Sequence, residues 1–119
     1  MCVIAICRDR DLTVDEVTRM DAANPHGIGV AWASRDKERR PVVRFAKNLS
    51  VGETLALLPS LPKPYIVHFR FASVGGITPE LCHPFPIHPA PSVALRGQTR
   101  RGVLFHNGRE MKADDVKFS

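Results

Sequence analysis

The sequence lacks the features that define several large classes of protein. No apolar run is long enough to cross a bilayer, and charges at residues 8–11 follow the first short apolar run too closely for a secretory signal. The three cysteines, Cys2, Cys7 and Cys82, form an odd set without the paired spacing of a zinc site. These absences predict a cytoplasmic protein with free thiols, no membrane association, no metal and no cofactor.

The composition is that of one globular domain, residues 1–119. A hydrophobic content of 44% in 119 residues is enough to build a core. The net charge is +5, and part of the excess lies at residues 96–101, which could contact phosphate. No aromatic residue is interleaved there to stack on bases, so nucleic acid is an unlikely partner.

The hydrophobic pattern predicts an α+β domain with mostly antiparallel sheet. Two capping boxes, Thr13 with Glu16 and Ser50 with Glu53, mark the starts of helices. Val14, Val17 and Met20 are expected to share one face of the first helix. Strands are predicted at residues 3–7, 30–33, 42–47, 65–72 and 102–106, the second and third as a hairpin and the last as the final strand.

The strand at residues 65–72 carries the most informative alternation. Its odd-numbered positions are aromatic or aliphatic, whereas His68 and Arg70 share the other face near the end of the strand. A buried arginine requires an anion or several acceptors. Arg70 is therefore predicted either to form a structural ion pair or to bind a carboxylate of a ligand.

The chain begins Met1-Cys2, followed at once by an apolar strand. If Met1 is removed, Cys2 carries a thiol and a free α-amino group on the same carbon. Their reference pKa values are about 8.5 and about 7.7–8.0, so one residue could supply both the nucleophile and the base near neutral pH. The alternative is an ordinary small residue at the start of a chain.

Five short stretches, in this order, resemble the class II glutamine amidotransferases, which are N-terminal-nucleophile hydrolases. The similarity is greatest to the short, free-standing proteins of phages and bacteria, and it extends over nearly the whole chain. The stretches are Met1-Cys2, Asn-Pro-His-Gly-Ile-Gly at 24–29, His-Phe-Arg-Phe-Ala-Ser at 68–73, Cys-His-Pro-Phe at 82–85, and His-Asn-Gly at 106–108.

The resemblance implies an αββα sandwich of mostly antiparallel sheets, incomplete at its C-terminus, and a hydrolysis of glutamine that releases ammonia through a γ-glutamyl thioester. The implied roles are Cys2 as the nucleophile, Asn107 and Gly108 as oxyanion donors, Arg70 as the carboxylate ligand, and Ser73 and His83 as lining of the glutamine pocket. The implied substrate is glutamine or a similar small amide, and a partner synthase or a homo-oligomer is possible.

No position matches the family's aspartate that grips the substrate ammonium, so the chain is expected to assemble the Cys2 pocket but to hydrolyse glutamine poorly. Three alternatives stay open. The same machinery could hydrolyse another amide, or the chain could be a non-catalytic binding or regulatory remnant. A metal site could also form from Cys82, His83 and His88 with His68 or His106, although prolines at 84, 86 and 89 surround these residues.

Overall fold

A five-stranded sheet with two helices forms the main body of the protein in a computed structural model. The structure describes residues 3–70, 84–86, 95–99, 103–104 and 110–111. The elements are β1 (Val3–Cys7), α1 (Val14–Ala23), β2 (Ile28–Arg35), β3 (Pro41–Leu49), α2 (Val51–Leu57) with a 3₁₀ turn (Leu58–Ser60), β4 (Tyr65–Phe69), β5 (Phe85–Pro86), β6 (Arg96–Thr99), β7 (Val103–Leu104) and β8 (Glu110–Met111).

The strand order of the large sheet is β1-β4-β2-β3-β6, and every recorded pair is antiparallel. This confirms the predicted α+β class with antiparallel sheet. The strand β4 lies between β1 and β2 and is buried along its whole length. It is therefore the strand from which the positions of the others are best described.

Both predicted capping boxes are present. In α1 the Thr13 hydroxyl accepts a hydrogen bond from the Glu16 N–H at 3.1 Å, and the Glu16 carboxylate accepts one from the Thr13 N–H at 2.9 Å. Val17 is fully buried and Met20 packs against the core, whereas Val14, at the first turn of the helix, is 66% exposed. In front of the helix, Leu12 packs against the same core cluster.

The two faces of the large sheet contact different layers. Side chains of β4 at Tyr65, Val67 and Phe69 belong to a cluster that includes residues of both helices, and we call this side the helix face. The second cluster lies on what we call the inner face and consists of Ala31, Ala33, Val43, Phe45, Ile66 and Val103. Because Val103 belongs to β7, the smaller sheet contacts the inner face.

The predicted hairpin is confirmed, with longer strands than expected. Strands β2 and β3 pair from Arg35↔Pro41 to Ile28↔Leu49, with a register shift near the open end of the hairpin. In the connecting loop the Asp36 carboxylate accepts hydrogen bonds from the Arg40 N–H and from its Nε, at 2.9 and 3.0 Å. These bonds hold the charged turn that joins the strands.

A second sheet has the order β5-β7-β8. The strand predicted at 102–106 is therefore not the last, because Glu110–Met111 pairs with Val103–Leu104. The short strand β5 lies at an edge, where a proline can be tolerated within the proline-rich segment. Among the described residues, no helix has both the length and the apolar character needed to cross a membrane.

Candidate active site at the end of the central strand

Arg70 directly follows β4, and its main chain is fixed by the turn that precedes β2. The Arg70 N–H donates to the Gly27 carbonyl at 3.0 Å, and the His26 N–H donates to the Arg70 carbonyl at 2.9 Å. Gly27 has a φ of 125°, a conformation that L side chains rarely adopt. Gly27 is thus the residue whose conformational freedom lets this turn bond with Arg70.

The first strand reaches the same end of β4 from the other side. Val3 pairs with Phe69, and Ile28 of β2 pairs with the opposite edge of Phe69. Parts of two of the five stretches noted in the sequence, those at 24–29 and 68–73, therefore meet at one place, and the first described residue of the chain, Val3, lies beside them. Gly27 and Arg70 lie about 25 and about 65 residues after Val3 in the chain. The antiparallel order of the strands brings these three places together.

The side chains of His68 and Arg70 are buried, with exposed fractions of 0% and 5%. Strand alternation places them on the face of Ile66, which belongs to the inner cluster, while Val67 and Phe69 belong to the helix-side cluster. The predicted division of this strand into two faces is confirmed as far as Arg70. The strand itself ends at Phe69 rather than at residue 72.

The other predicted site residues, namely Cys2, Ser73, His83, Asn107 and Gly108, lie outside the described residues. Their neighbours in the chain are described. Val3 follows Cys2, Pro84 follows His83 and is buried, and the segment that contains Asn107 and Gly108 joins the paired strands β7 and β8. The residues of the alternative metal site, apart from His68, also lie outside, and the described ranges hold no group of three metal-ligating side chains.

The opposite end of β4 has a different character. The Tyr65 hydroxyl donates to Asp11 at 2.6 Å, and the Lys63 ammonium lies 3.1 Å from the same carboxylate. Burial and this hydrogen bond raise the pKa of Tyr65, while the bonds from Tyr65 and Lys63 lower the pKa of Asp11. This arrangement joins β4 to the loop after β1.

Cys7 lies at this same end, paired with Tyr65 across the strands. Its thiol is buried on the helix face, and burial raises its pKa above the usual value. A buried thiol with a raised pKa carries little thiolate at neutral pH and reacts slowly. Cys7 is therefore a structural cysteine and an internal reference for the reactivity of the others.

Two open clefts lie among the described residues. One, of about 410 Å³, lies beside His26 and Gly27 and is bounded by the start of α2. The other, of about 420 Å³, lies along the end of β1 and the loop after it. The first cleft opens on the helix side, whereas alternation directs the Arg70 side chain to the inner face. The candidate site is therefore the region of the inner face around Arg70 and not this cleft.

Sequence reasoning missed one residue, Lys47, which is 2% exposed. The sequence placed it at the end of a predicted strand, where a lysine is usually exposed. The alternation Val43, Phe45, Lys47 was the available signal, since the first two of these belong to the inner cluster. Its significance becomes clear only when the order of the strands is known.

Comparison with known proteins does not assign a function, so the functional assignment depends on the residues described above. No protein-family model matches the chain, and neither a curated protein nor a solved structure shows significant similarity to it.

Proposed function

We propose that this protein is an N-terminal-nucleophile amidohydrolase of the class II glutamine amidotransferase type, in which Cys2 attacks the side-chain amide of glutamine or a similar small amide. The observation that carries the proposal is the meeting of β1, the 24–27 turn and Arg70 at one end of β4. The turn and Arg70 belong to two of the five stretches, and β1 directly follows the stretch that would supply the nucleophile.

The covalent chain limits the position of the nucleophile. Consecutive Cα atoms are about 3.8 Å apart, so Cys2 lies one such step from Val3, which faces Phe69. Extending the strand by one residue would put Cys2 opposite Arg70, and paired residues have Cα atoms about 4.5–5.5 Å apart. By the same alternation, the Cys2 thiol would share the inner face with Ile4. A glutamine whose α-carboxylate contacts Arg70 would then have its side-chain amide within reach of the thiol.

The reaction follows from these groups. The Cys2 α-amine takes the thiol proton while the sulfur bonds to the amide carbon, and the carbonyl oxygen becomes an oxyanion. The Asn107 side-chain amide and the Gly108 N–H would donate to that oxygen, and loss of one such donor typically costs about 10²–10³ in rate. The protonated amine returns its proton to the leaving nitrogen, which departs as ammonia. Water then hydrolyses the thioester and restores the thiol.

The smaller sheet supports this position for the oxyanion donors. Val103 of β7 packs in the inner cluster beside Ile66. The connection from β7 to β8 contains Asn107 and Gly108, and the two strands that it joins belong to the layer that contacts the inner face. The described layers are a helical layer, the five-stranded sheet and the smaller sheet. A second helical layer, which would complete an αββα sandwich, is part of the proposal.

The test is the reactivity of Cys2. Intact mass should show the loss of one methionine, and iodoacetamide should label Cys2 much faster than Cys7, whose raised pKa makes it the reference within the same molecule. Ammonia release from a panel of small amides should be lost in Cys2→Ser, because a hydroxyl is a far weaker nucleophile at neutral pH.

Three outcomes separate the alternatives. Full activity in protein that retains Met1 would refute the α-amine as the base. Release of ammonia from another amide, with none from glutamine, would indicate a different hydrolase with the same machinery. Labelling of Cys2 no faster than that of Cys7, without turnover of any amide, would identify a non-catalytic binding protein.

A further inference from the structure

The charged residues of this protein are distributed unevenly. Residues 35–44, which span the β2–β3 turn and the first part of β3, hold five basic and two acidic side chains. Residues 8–21, which lead into α1 and form most of it, hold three basic and five acidic side chains. The turn and its neighbouring strand are therefore positive where α1 is negative, and an anionic partner would be attracted to the turn.

The two acids of the turn do not neutralise its cations. The Asp36 side chain is only 7% exposed, and its carboxylate accepts hydrogen bonds from the N–H and Nε of Arg40. Arg40 also lies 3.2 Å from Glu38, so both acids are paired with one arginine. Lys37 and Arg39 are exposed, and neither forms an ion pair within the described ranges. They can contact a phosphate without the loss of an internal contact.

The register brings an aromatic residue next to this charge. Trp32 of β2 pairs with Arg44 of β3, and Arg44 pairs with Gln98 of β6. These three side chains, which we call the Trp32 row, share the helix face, because Trp32 packs against the helix-face cluster and directly paired residues project to the same side. Neighbouring strands lie about 4.8 Å apart, so the row spans about 10 Å of the sheet.

Two contacts confirm that β6 presents these side chains to the helix face. A Cβ atom at Gly97 would lie 3.2 Å from the ring of Phe45, which belongs to the inner cluster, so the neighbours of Gly97 face the helix side. One of them, Arg96, lies 3.5 Å from Glu53 at the start of α2. Both side chains of this pair are more than half exposed, so the pair contributes little stability and can open to a phosphate.

The helical layer leaves the Trp32 row open to solvent. Arg44 and Gln98 are exposed, whereas Tyr65, on the same face of β4, is fully buried. Trp32 lies at the boundary and is only partly buried. An indole, a guanidinium and a carboxamide therefore lie side by side on an open part of the sheet. These groups can stack on a base, contact a phosphate and hydrogen-bond the edge of a base.

We infer that the surface formed by the Trp32 row, Arg96 and the β2–β3 turn binds single-stranded nucleic acid. A single strand fits because its unpaired bases can stack on an aromatic side chain of an open sheet. The sequence argued against nucleic acid because residues 96–101 contain no aromatic residue. The strand order supplies one from β2. The surface lies on the face of the sheet opposite to Arg70, so the inference does not depend on the proposed hydrolase.

Trp32 is the only tryptophan of the chain, so its fluorescence reports directly on the proposed contact. An oligouridylate of about 12 nucleotides, within the usual range of site sizes, should quench this fluorescence at about 50 mM salt. The anisotropy of the same oligouridylate, labelled with fluorescein, gives the affinity. If Lys37, Arg39, Arg44 and Arg96 each contact a phosphate, log K should fall with log salt with a slope of about −3.

Variants assign the binding to this surface. Arg44→Ala should make the salt slope about 0.7 less steep, and Lys37→Ala combined with Arg39→Ala should make it about 1.4 less steep. Arg19→Ala removes an exposed arginine from α1 and is the matched control, which should keep both the slope and the quenching. Trp32→Leu should weaken binding about 5- to 150-fold at an unchanged slope, because it removes one stacked base.

Three results would overturn the inference. The first is the absence of oligouridylate binding at low salt. The second is binding without quenching and with equal affinity for heparin, which would show adsorption of a polyanion without base contact. The third is an equal loss of affinity in Arg19→Ala and Arg44→Ala, which would reflect the net charge alone. If Trp32→Leu does not fold, the quenching of the parent protein and the charge variants still decide.

Discussion

Replacing Arg70 with lysine separates a ligand-binding arginine from a structural one. Arg70→Lys keeps the charge and the stem but removes the planar fork that binds a carboxylate through two parallel hydrogen bonds. The main-chain bonds of Arg70 with His26 and Gly27 do not involve its side chain and are retained in the variant. The expected result is a loss of ligand binding with the fold preserved.

The magnitude follows from the burial of the site. Arg70 is 5% exposed, so a carboxylate bound there would be largely removed from water and its contacts would be strong. A hydrogen bond to a charged group contributes about 1.5–3 kcal/mol. Losing one of two such bonds should therefore raise Kd or KM for the amide about 10- to 150-fold.

The assay combines three measurements on one preparation: amide binding or turnover, the labelling rate of Cys2 with iodoacetamide, and the thermal midpoint of unfolding. Labelling should be little changed, because a small neutral electrophile does not need the carboxylate ligand. The matched control is Arg44→Lys, which changes an exposed arginine on β3 of the same sheet. It should leave all three measurements unchanged.

A different pattern would refute this reasoning. If Arg70→Lys lowers the midpoint of unfolding by several degrees while KM and turnover stay at the parent values, Arg70 is a structural residue and the carboxylate binds elsewhere. If KM rises equally in Arg44→Lys, the effect is not specific to the fork of Arg70.

Two further predictions concern the first helix. Thr13→Ala should lower the free energy of unfolding by about 0.5–2 kcal/mol, because it removes the acceptor for the Glu16 N–H. Thr18→Ala, the same change in the exposed middle of α1, should be near neutral, and equal losses in denaturant titrations would contradict the role of the cap. The second prediction concerns acid stability: hydrogen bonds from Arg10 and Thr13 lower the pKa of Glu16 from 4.5 to about 2. Its contribution to stability is therefore complete above about pH 4.5 and is lost as the pH falls towards 2. Glu16→Gln should have a lower free energy of unfolding at neutral pH than the parent protein, and should lose less stability than the parent between pH 4.5 and pH 2. The same pH dependence in both proteins would show that this carboxylate is not coupled to folding.

Local features of the sequence determined much of this fold. The two capping boxes and the β2–β3 hairpin were predictable because each depends on residues within a few positions of one another. The alternation in β4 was sufficient to separate the face of Val67 from that of His68, since the two-residue period of a strand is a local property. The candidate role of Arg70 came from the same alternation.

The tertiary structure decided what depends on the order of the strands. That β4 lies between β1 and β2 depends on contacts between segments far apart in the chain, and no local pattern encodes this choice. It brings the turn at Gly27 onto the main chain of Arg70, and it puts Lys47 in one row with His68 across a glycine. It also decides that Leu12, and not Val14, contacts the core. Whether a side chain is buried depends on which layer packs on its face of the sheet. The sequence was therefore sufficient to predict candidate chemistry, but only the packing of the sheet shows which charged side chains are buried near the candidate site.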